Sequence, residues 1–236
     1  MSVVVSVVAE NTSRVISIHD IPPQIIKDQI DAVFEDITVD GVKIGMLSGS
    51  DSMKAVAEKL RQYKPGTTVI DPVMIAKGGC ALMHPGALDT LIREIIPLSY
   101  LLTPNIPEAE TITSMKITGI DEMKKAAAAI HAMGAKNVLI KGGHLHGDAE
   151  DILFDGQNYQ SYITKRIDTK NTHGTGCTFS SAITANLANG MDLYNAVKSA
   201  KNYVTTAIEH ALPIGKGHGP TNHFYKLYTA AGMVLK

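Results

Sequence analysis

Residues 67–73 read Thr67-Thr68-Val69-Ile70-Asp71-Pro72-Val73, a short run of β-formers that stops at a carboxylate followed by proline. Such a run has the length and composition of a strand buried on both faces. Working outward, similar runs occur at residues 3–8, 42–47 and 100–103. Helical patterns separate them. Ile21-Pro22-Pro23 opens one helix with apolar positions Ile26, Ile30, Val33 and Phe34, and proline is tolerated there because its missing N–H falls in the first turn. Asp51 is expected to cap a second helix, whose buried face is Val56, Leu60 and Tyr63. Pro85 is expected to start a third, with Leu88, Leu91, Ile92 and Ile95. A helix at 121–133 and a strand at 137–140 follow. Then come an antiparallel pair, 151–154 and 161–164, around Asp155-Gly156-Gln157-Asn158, and two helices split by Asn189-Gly190. This alternation predicts an α/β fold: a mostly parallel central sheet with helices on both faces. There is no internal repeat or linker, so a single domain over 1–236 is expected.

Composition sets the class. The 236 residues carry 22 Lys+Arg against 23 Asp+Glu, with 44% hydrophobic and 5% aromatic residues. Balanced charge without a basic run excludes a nucleic-acid footprint. No stretch approaches the length of a membrane span, and the apolar opening lacks a basic region, which excludes a signal peptide. Cys80 and Cys177 lie far apart and read as reduced thiols of a cytoplasmic protein, at a spacing that excludes a zinc site. Small-molecule chemistry is the expectation.

In open α/β sheets ligands bind beyond the carboxyl ends of the strands. There the sequence places Asp71-Pro72-Val73, then Thr103-Pro104-Asn105-Ile106-Pro107-Glu108, then Lys141-Gly142-Gly143-His144. Each of Asp71 and Asn105 could be a simple turn former beside proline. Two carboxylates and a lysine at one sheet edge suit a magnesium ion bridging phosphate oxygens. The strongest motif is Thr172-His173-Gly174-Thr175-Gly176-Cys177-Thr178, which runs into a helical segment. Gly174 and Gly176 let the backbone approach a ligand, and the helix-start N–H groups then form an anion hole. The spacing is neither a Walker A loop nor a dinucleotide fingerprint. Cys177, at the helix N-terminus, is expected to have a stabilised thiolate able to take a proton from an attacking hydroxyl.

These residues carry a resemblance. Lys43-Ile44-Gly45-Met46-Leu47, Asp71-Pro72-Val73-Met74, Thr103-Pro104-Asn105 to Glu108, Lys141-Gly142-Gly143-His144, residues 170–178 and Gly217-His218-Gly219-Pro220 together closely resemble the hydroxymethylpyrimidine/phosphomethylpyrimidine kinases of thiamin biosynthesis, of the ribokinase-like superfamily. The match covers nearly the whole chain. It implies a ribokinase-like three-layer α/β/α sandwich, a homodimer, and ATP- and Mg²⁺-dependent phosphorylation of a pyrimidine alcohol and then of its monophosphate. At matching positions Cys177 is the base, Gly174, Thr175 and Gly176 the anion hole, and Asp71 and Glu108 the metal side. Lys141, Asn105 and Thr172 fall on the nucleotide side, while Met46 and Glu10 meet the pyrimidine. Two departures stand out. Family members begin about thirty residues earlier, with a strand and a substrate-binding turn, so the substrate half of the site is expected to be incomplete as written. Glu10 stands where the family usually has Gln, and an ionised Glu can only accept hydrogen bonds.

Other candidates are weaker. Cys80 lies in a segment resembling the family's flap and reads as a bystander thiol. His144 and His146 have no third ligand at usable spacing, and His173 is expected to shape its turn. The final apolar stretch, 230–235, is too short to carry a reading. Two rivals remain: a pyridoxal kinase of the same superfamily, and a shortened precursor-binding protein with little turnover.

Overall fold

The computed structural model describes residues 1–76, 78–145 and 147–233, so Lys77, His146 and the end of the final apolar stretch lie outside the described residues. The chain opens with strands β1 (Ser6–Glu10) and β2 (Val15–Asp20), followed by helix α1 (Pro23–Phe34). Here the structure corrects the expectation for residues 3–8. Instead of joining the central sheet, β1 pairs antiparallel with β2 in a separate two-stranded sheet. Val7 and Ile16 are left 54% and 64% exposed, because such a ribbon has an apolar neighbour on one side only. Val3 and Val5, just ahead of the strand, turn back onto the core, and Ile21 N–H donates to Val5 O at 2.9 Å. The turn is polar: Asn11 Oδ1 accepts from Ser13 N and Arg14 N.

Strand β3 (Val42–Ile44), helix α2 (Ser50–Tyr63) and strand β4 (Thr68–Ile70) follow as expected, with one adjustment. Gly49 occupies the N-cap of α2, and Asp51 lies inside the first turn, where its charge faces the positive end of the helix dipole. The third helix begins after Pro85, at α3 (Ala87–Thr90), because Gly86 adopts a left-handed φ of 82°. It continues through a π turn (Leu91–Ile95) and a 3-10 turn (Ile96–Leu98). Strand β5 (Leu101–Leu102) leads into α4 (Ile106–Thr113), an element that the proline-rich sequence concealed. The chain then forms α5 (Ile120–Ala132), β6 (Val138–Ile140), β7 (Ala149–Phe154), β8 (Tyr159–Thr164), α6 (Thr175–Ala188), α7 (Leu193–Glu209) and α8 (Tyr225–Ala230).

The central sheet has the order β3-β4-β5-β6-β7-β8. Strands β3 to β6 are parallel, and β7 and β8 add as an antiparallel hairpin. Pleating divides the apolar residues between two faces. Ile70, Leu102, Ile140 and Ile152 enter the core under α1, α2, α4 and α5, which includes Ile26, Met53, Ile106 and Met123. Their strand neighbours Val69, Leu101, Leu139 and Leu153 pack on the other side against Phe179 and Ile183 of α6 and Val197 and Val204 of α7. The result is the expected three-layer α/β/α sandwich.

Candidate active site

Two adjacent parallel strands run straight into a residue that precedes proline, Asp71 before Pro72 and Thr103 before Pro104. That context restricts each to extended backbone and ends the strand in a defined direction. Lys141 directly follows the neighbouring strand β6. Asp71 is 1% exposed, and its N–H donates to Ile44 O at 2.9 Å. Its Oδ1 accepts from Lys141 Nζ at 2.5 Å and from Thr103 Oγ1 at 3.4 Å. Lys141 is anchored through its own N–H to Pro104 O at 2.9 Å, and it pairs across an isolated bridge with Asn105. Burial opposes the lysine's charge, but Asp71 and Glu108 outweigh it, and the net shift of the ammonium is upward.

Asn105 has a role that the sequence did not reveal. It is the N-cap of α4: its Oδ1 accepts from Glu108 N at 2.9 Å, while Glu108 Oε2 accepts from Asn105 N at 2.8 Å. This capping box holds the buried Glu108 at the strand edge. Desolvation pushes the Glu108 carboxyl upward, and Lys141 and the Asn105 N–H only partly oppose it. An Asn followed three residues later by Glu was the signal that could have disclosed α4. Among the described residues no group of three His, Cys, Asp or Glu side chains forms a metal cage. The donor set still fits magnesium, which takes one or two carboxylates and fills its remaining positions with water and phosphate oxygens. Asp71 Oδ2 is turned toward Gly176, while Asp71 Oδ1 accepts from Lys141 and Glu108 Oε2 accepts from Asn105 N, so Asp71 Oδ2 would be the oxygen open to a metal on the α6 side.

Helix α6 approaches from the opposite layer. Gly174, at φ 79°, makes the left-handed turn that starts it, and Thr175 Oγ1 donates to Thr172 O at 2.8 Å. First-turn N–H groups have no intrahelical acceptor and carry the positive end of the dipole. A Cβ on Gly176 would stand 3.3 Å from Lys141 Nζ and 3.5 Å from Asp71 Oδ2, so the start of α6 lies directly against the lysine–aspartate pair. Cys177 is solvent-accessible. Protein nevertheless crowds its sulfur on the inner side, and this desolvation pushes the thiol upward. Lys43 and Lys141 pull it down, and Asp71 and Glu108 push it up. The expectation of a thiolate stabilised by the helix start is therefore corrected: burial and two carboxylates win. Lys43, on β3, is a nearby cation whose part the sequence did not single out.

The remaining candidates lie around this centre. Glu10 is at the end of β1, with Oε1 3.8 Å from His173 Nε2, so the hairpin meets the anion loop. Met46 is half-buried between β3 and α2. The Gly217–Pro220 motif clamps the same loops: His218 N donates to Thr12 O at 2.8 Å, and Gly219 N donates to Asn171 Oδ1 at 3.1 Å. A Cβ on Gly217 would fall 2.0 Å from Thr12 O, which explains the glycine. Cys80 is exposed on the segment after β4, and His144 lies on the loop after Lys141.

First-turn amides set against a lysine and a buried carboxylate suit phosphoryl transfer. On this sheet they mark the chain as a ribokinase-like small-molecule kinase, the class of its structural neighbours. A family profile described as phosphomethylpyrimidine kinase matches residues 1–222, and the chain belongs to that family. It is 47% identical over 226 residues to the hydroxymethylpyrimidine/phosphomethylpyrimidine kinase of Bacillus subtilis, covering 95% of this chain and 83% of the relative. It is 51% identical over 223 residues to the thiamine biosynthesis bifunctional protein ThiED of Geobacter sulfurreducens, with 94% of this chain covered, and it spans only 46% of that longer protein. Among solved structures, a phosphomethylpyrimidine kinase of Clostridium difficile aligns with TM-score 0.79 and 46% identity over 88% of this chain and 86% of the other. An ADP complex of Bacillus subtilis pyridoxal kinase aligns with TM-score 0.87 and 36% identity over 95% and 86%.

Proposed function

We propose that this protein uses ATP to phosphorylate the hydroxymethyl group of 4-amino-5-hydroxymethyl-2-methylpyrimidine and then converts the monophosphate to the diphosphate, in thiamin biosynthesis. The observation that carries the reading is the meeting of separate elements: the start of α6, with Gly174–Gly176 and the Cys177 thiol, lies against the Lys141–Asp71 pair at the ends of the sheet strands. Family membership and the names of the relatives support the substrate. The ADP-bound neighbour supports the nucleotide.

In this reading the first-turn amides of α6, with Gly174, Thr175 and Gly176, hold the phosphoryl group being transferred. Lys141 neutralises charge that gathers on its oxygens, which is where phosphoryl-transfer catalysis acts. Cys177 takes the proton of the pyrimidine alcohol. Asp71 and Glu108 would hold Mg²⁺, which when bound would neutralise phosphate charge and orient the nucleotide. Asn105 and Thr172 border the nucleotide, and Met46 and Glu10 border the pyrimidine. We read the chain as one domain that works as a cytoplasmic homodimer; no helix among the described residues is long and apolar enough to cross a membrane.

The test is incubation with Mg·ATP and the pyrimidine alcohol, followed by ³¹P NMR. The monophosphate should appear first and the diphosphate later. Pyridoxal serves as the competing acceptor. Turnover of pyridoxal with none of the pyrimidine would overturn the assignment.

A further inference from the structure

One strand over from Lys141 lies a buried ion pair that the proposed chemistry does not use. Asp151 on β7 and Lys201 on α7 are each 5% exposed, and Lys201 Nζ donates to Asp151 Oδ2 at 2.6 Å and to Ala149 O at 2.9 Å. The other carboxylate oxygen, Asp151 Oδ1, accepts the N–H of Gly142 at 2.9 Å. The β6–β7 ladder matches Val138 with Phe154, Leu139 with Leu153 and Ile140 with Ile152, and there the backbone pairing stops. Beyond that point the Asp151 side chain supplies the acceptor for the strand's continuation. Gly142 is pressed so tightly onto β7 that a Cβ would fall 1.8 Å from Glu150 O.

The consequence falls on Lys141. Its own N–H is tied to Pro104 on one side, and the next N–H in the chain is tied to Asp151 on the other. Rotation of the backbone at Lys141 breaks one of these bonds. By strand alternation Lys141 and Asp151 project toward the same layer, the one formed by α6 and α7. An uncompensated Asp151 would therefore compete with Asp71 for the Lys141 ammonium; Lys201 removes that competition by holding Asp151 itself. A packing role alone would be served as well by two apolar side chains.

We propose that the Asp151–Lys201 pair is a positioning device that holds the Lys141 backbone, and so its ammonium, in place for phosphoryl transfer. The inference rests on the reading of Lys141 as a phosphate contact.

Two double variants of equal charge isolate the Gly142 bond. D151L/K201M replaces the ion pair by apolar groups and loses the acceptor, whereas D151N/K201M keeps an oxygen for the Gly142 N–H. Should the leucine variant not fold, D151S/K201M, whose hydroxyl is too short to reach, takes its place. The measurements are kcat and KM of both phosphorylation steps, in wild type, in these variants, in K141M, and in K141M combined with D151L/K201M.

D151L/K201M should lower kcat of both steps about tenfold to a hundredfold, as expected for a displaced catalytic group, with the pyrimidine KM within about twofold. D151N/K201M should restore most of that loss. In the K141M background the leucine pair should cost no more than about twofold further, because both changes act through one group. Equal kcat in the leucine and asparagine variants overturns the proposal, as does a loss that adds in full to that of K141M. Unchanged kcat in K141M itself would instead refute the phosphate-contact reading on which the proposal stands.

Discussion

Replacing Cys177 with alanine should separate the two phosphoryl transfers, because their acceptors differ in what must leave them. The first acceptor is an alcohol that needs its proton removed, and a positioned general base contributes about 10²–10⁴-fold. The second is a phosphate monoester whose second pKa is about 6, so by pH 7 it is largely dianionic and needs no base. Crowding around Cys177, only partly opposed by Lys43 and Lys141, holds the thiol above its ordinary value. At neutral pH the thiolate is then the minor form. It grows about tenfold per pH unit below the thiol pKa, so the first step should accelerate with pH while the second stays nearly flat above pH 7. In Cys177→Ala the alcohol step should fall by roughly two orders of magnitude or more and lose that pH slope. The monophosphate step should change little. The thermal midpoint of the variant, set beside that of wild type, separates a loss of chemistry from a loss of fold. The assay is single-turnover quench of each step from pH 6 to 9. An equal loss in both steps, with no pH-dependent difference between them, would refute the base assignment and leave the thiol a structural or phosphate-binding role.

Gly176→Ala should damage both steps alike, because its Cβ would press on Lys141 Nζ at 3.3 Å and crowd the space between α6 and Asp71; a displacement of this kind costs on the order of a hundredfold, read from kcat of each step. Gly142→Ala drives a methyl to 1.8 Å from Glu150 O and should destabilise the fold by at least about 1–3 kcal/mol, measured by urea unfolding. Asp155 accepts from the N–H groups of Gln157 and Asn158 and from the Tyr194 hydroxyl, contacts that hold its carboxyl below the usual range. Its contribution is thus fully present above the ordinary carboxylate pKa and is lost as pH falls. Wild type should be more stable than Asp155→Asn at pH 7, and the gap should close on acidification below about pH 4, followed by thermal midpoints across pH.

The elements read most faithfully from sequence were those whose local pattern and final environment agree. Val69-Ile70, Leu101-Leu102 and Leu139-Ile140 are apolar on both sides of the pleat because both faces of the sheet are covered, and their continuous apolar character said so. The hairpin β1–β2 broke that logic. Residues 3–8 are as β-branched as any central strand, yet only 6–8 form a strand, in a half-exposed ribbon, while Val3 and Val5 ahead of it pack on the core, and nothing local distinguishes the outcomes. Helix α4 was hidden because Pro104 and Pro107 look like turn signals. Pro107 in fact sits in the first helical turn, where a missing N–H costs nothing, with Asn105 as its cap.

For the site, the sequence by itself determined which groups stand at the carboxyl ends of the strands and where the chain can form an anion-binding helix start. Proline after Asp71 and Thr103 restricts the backbone, and glycine at 174 permits the left-handed turn that starts α6, so these features are local. Only the tertiary structure decided that Gly176 lies against Lys141 and Asp71, that burial raises the Cys177 thiol, and that Lys201 pairs with Asp151. Each of these depends on segments 30 or more positions apart or on the loss of surrounding water. The free energy of a charge is set by its distance to other charges and by its exposure to solvent, and neither is defined until the layers have packed.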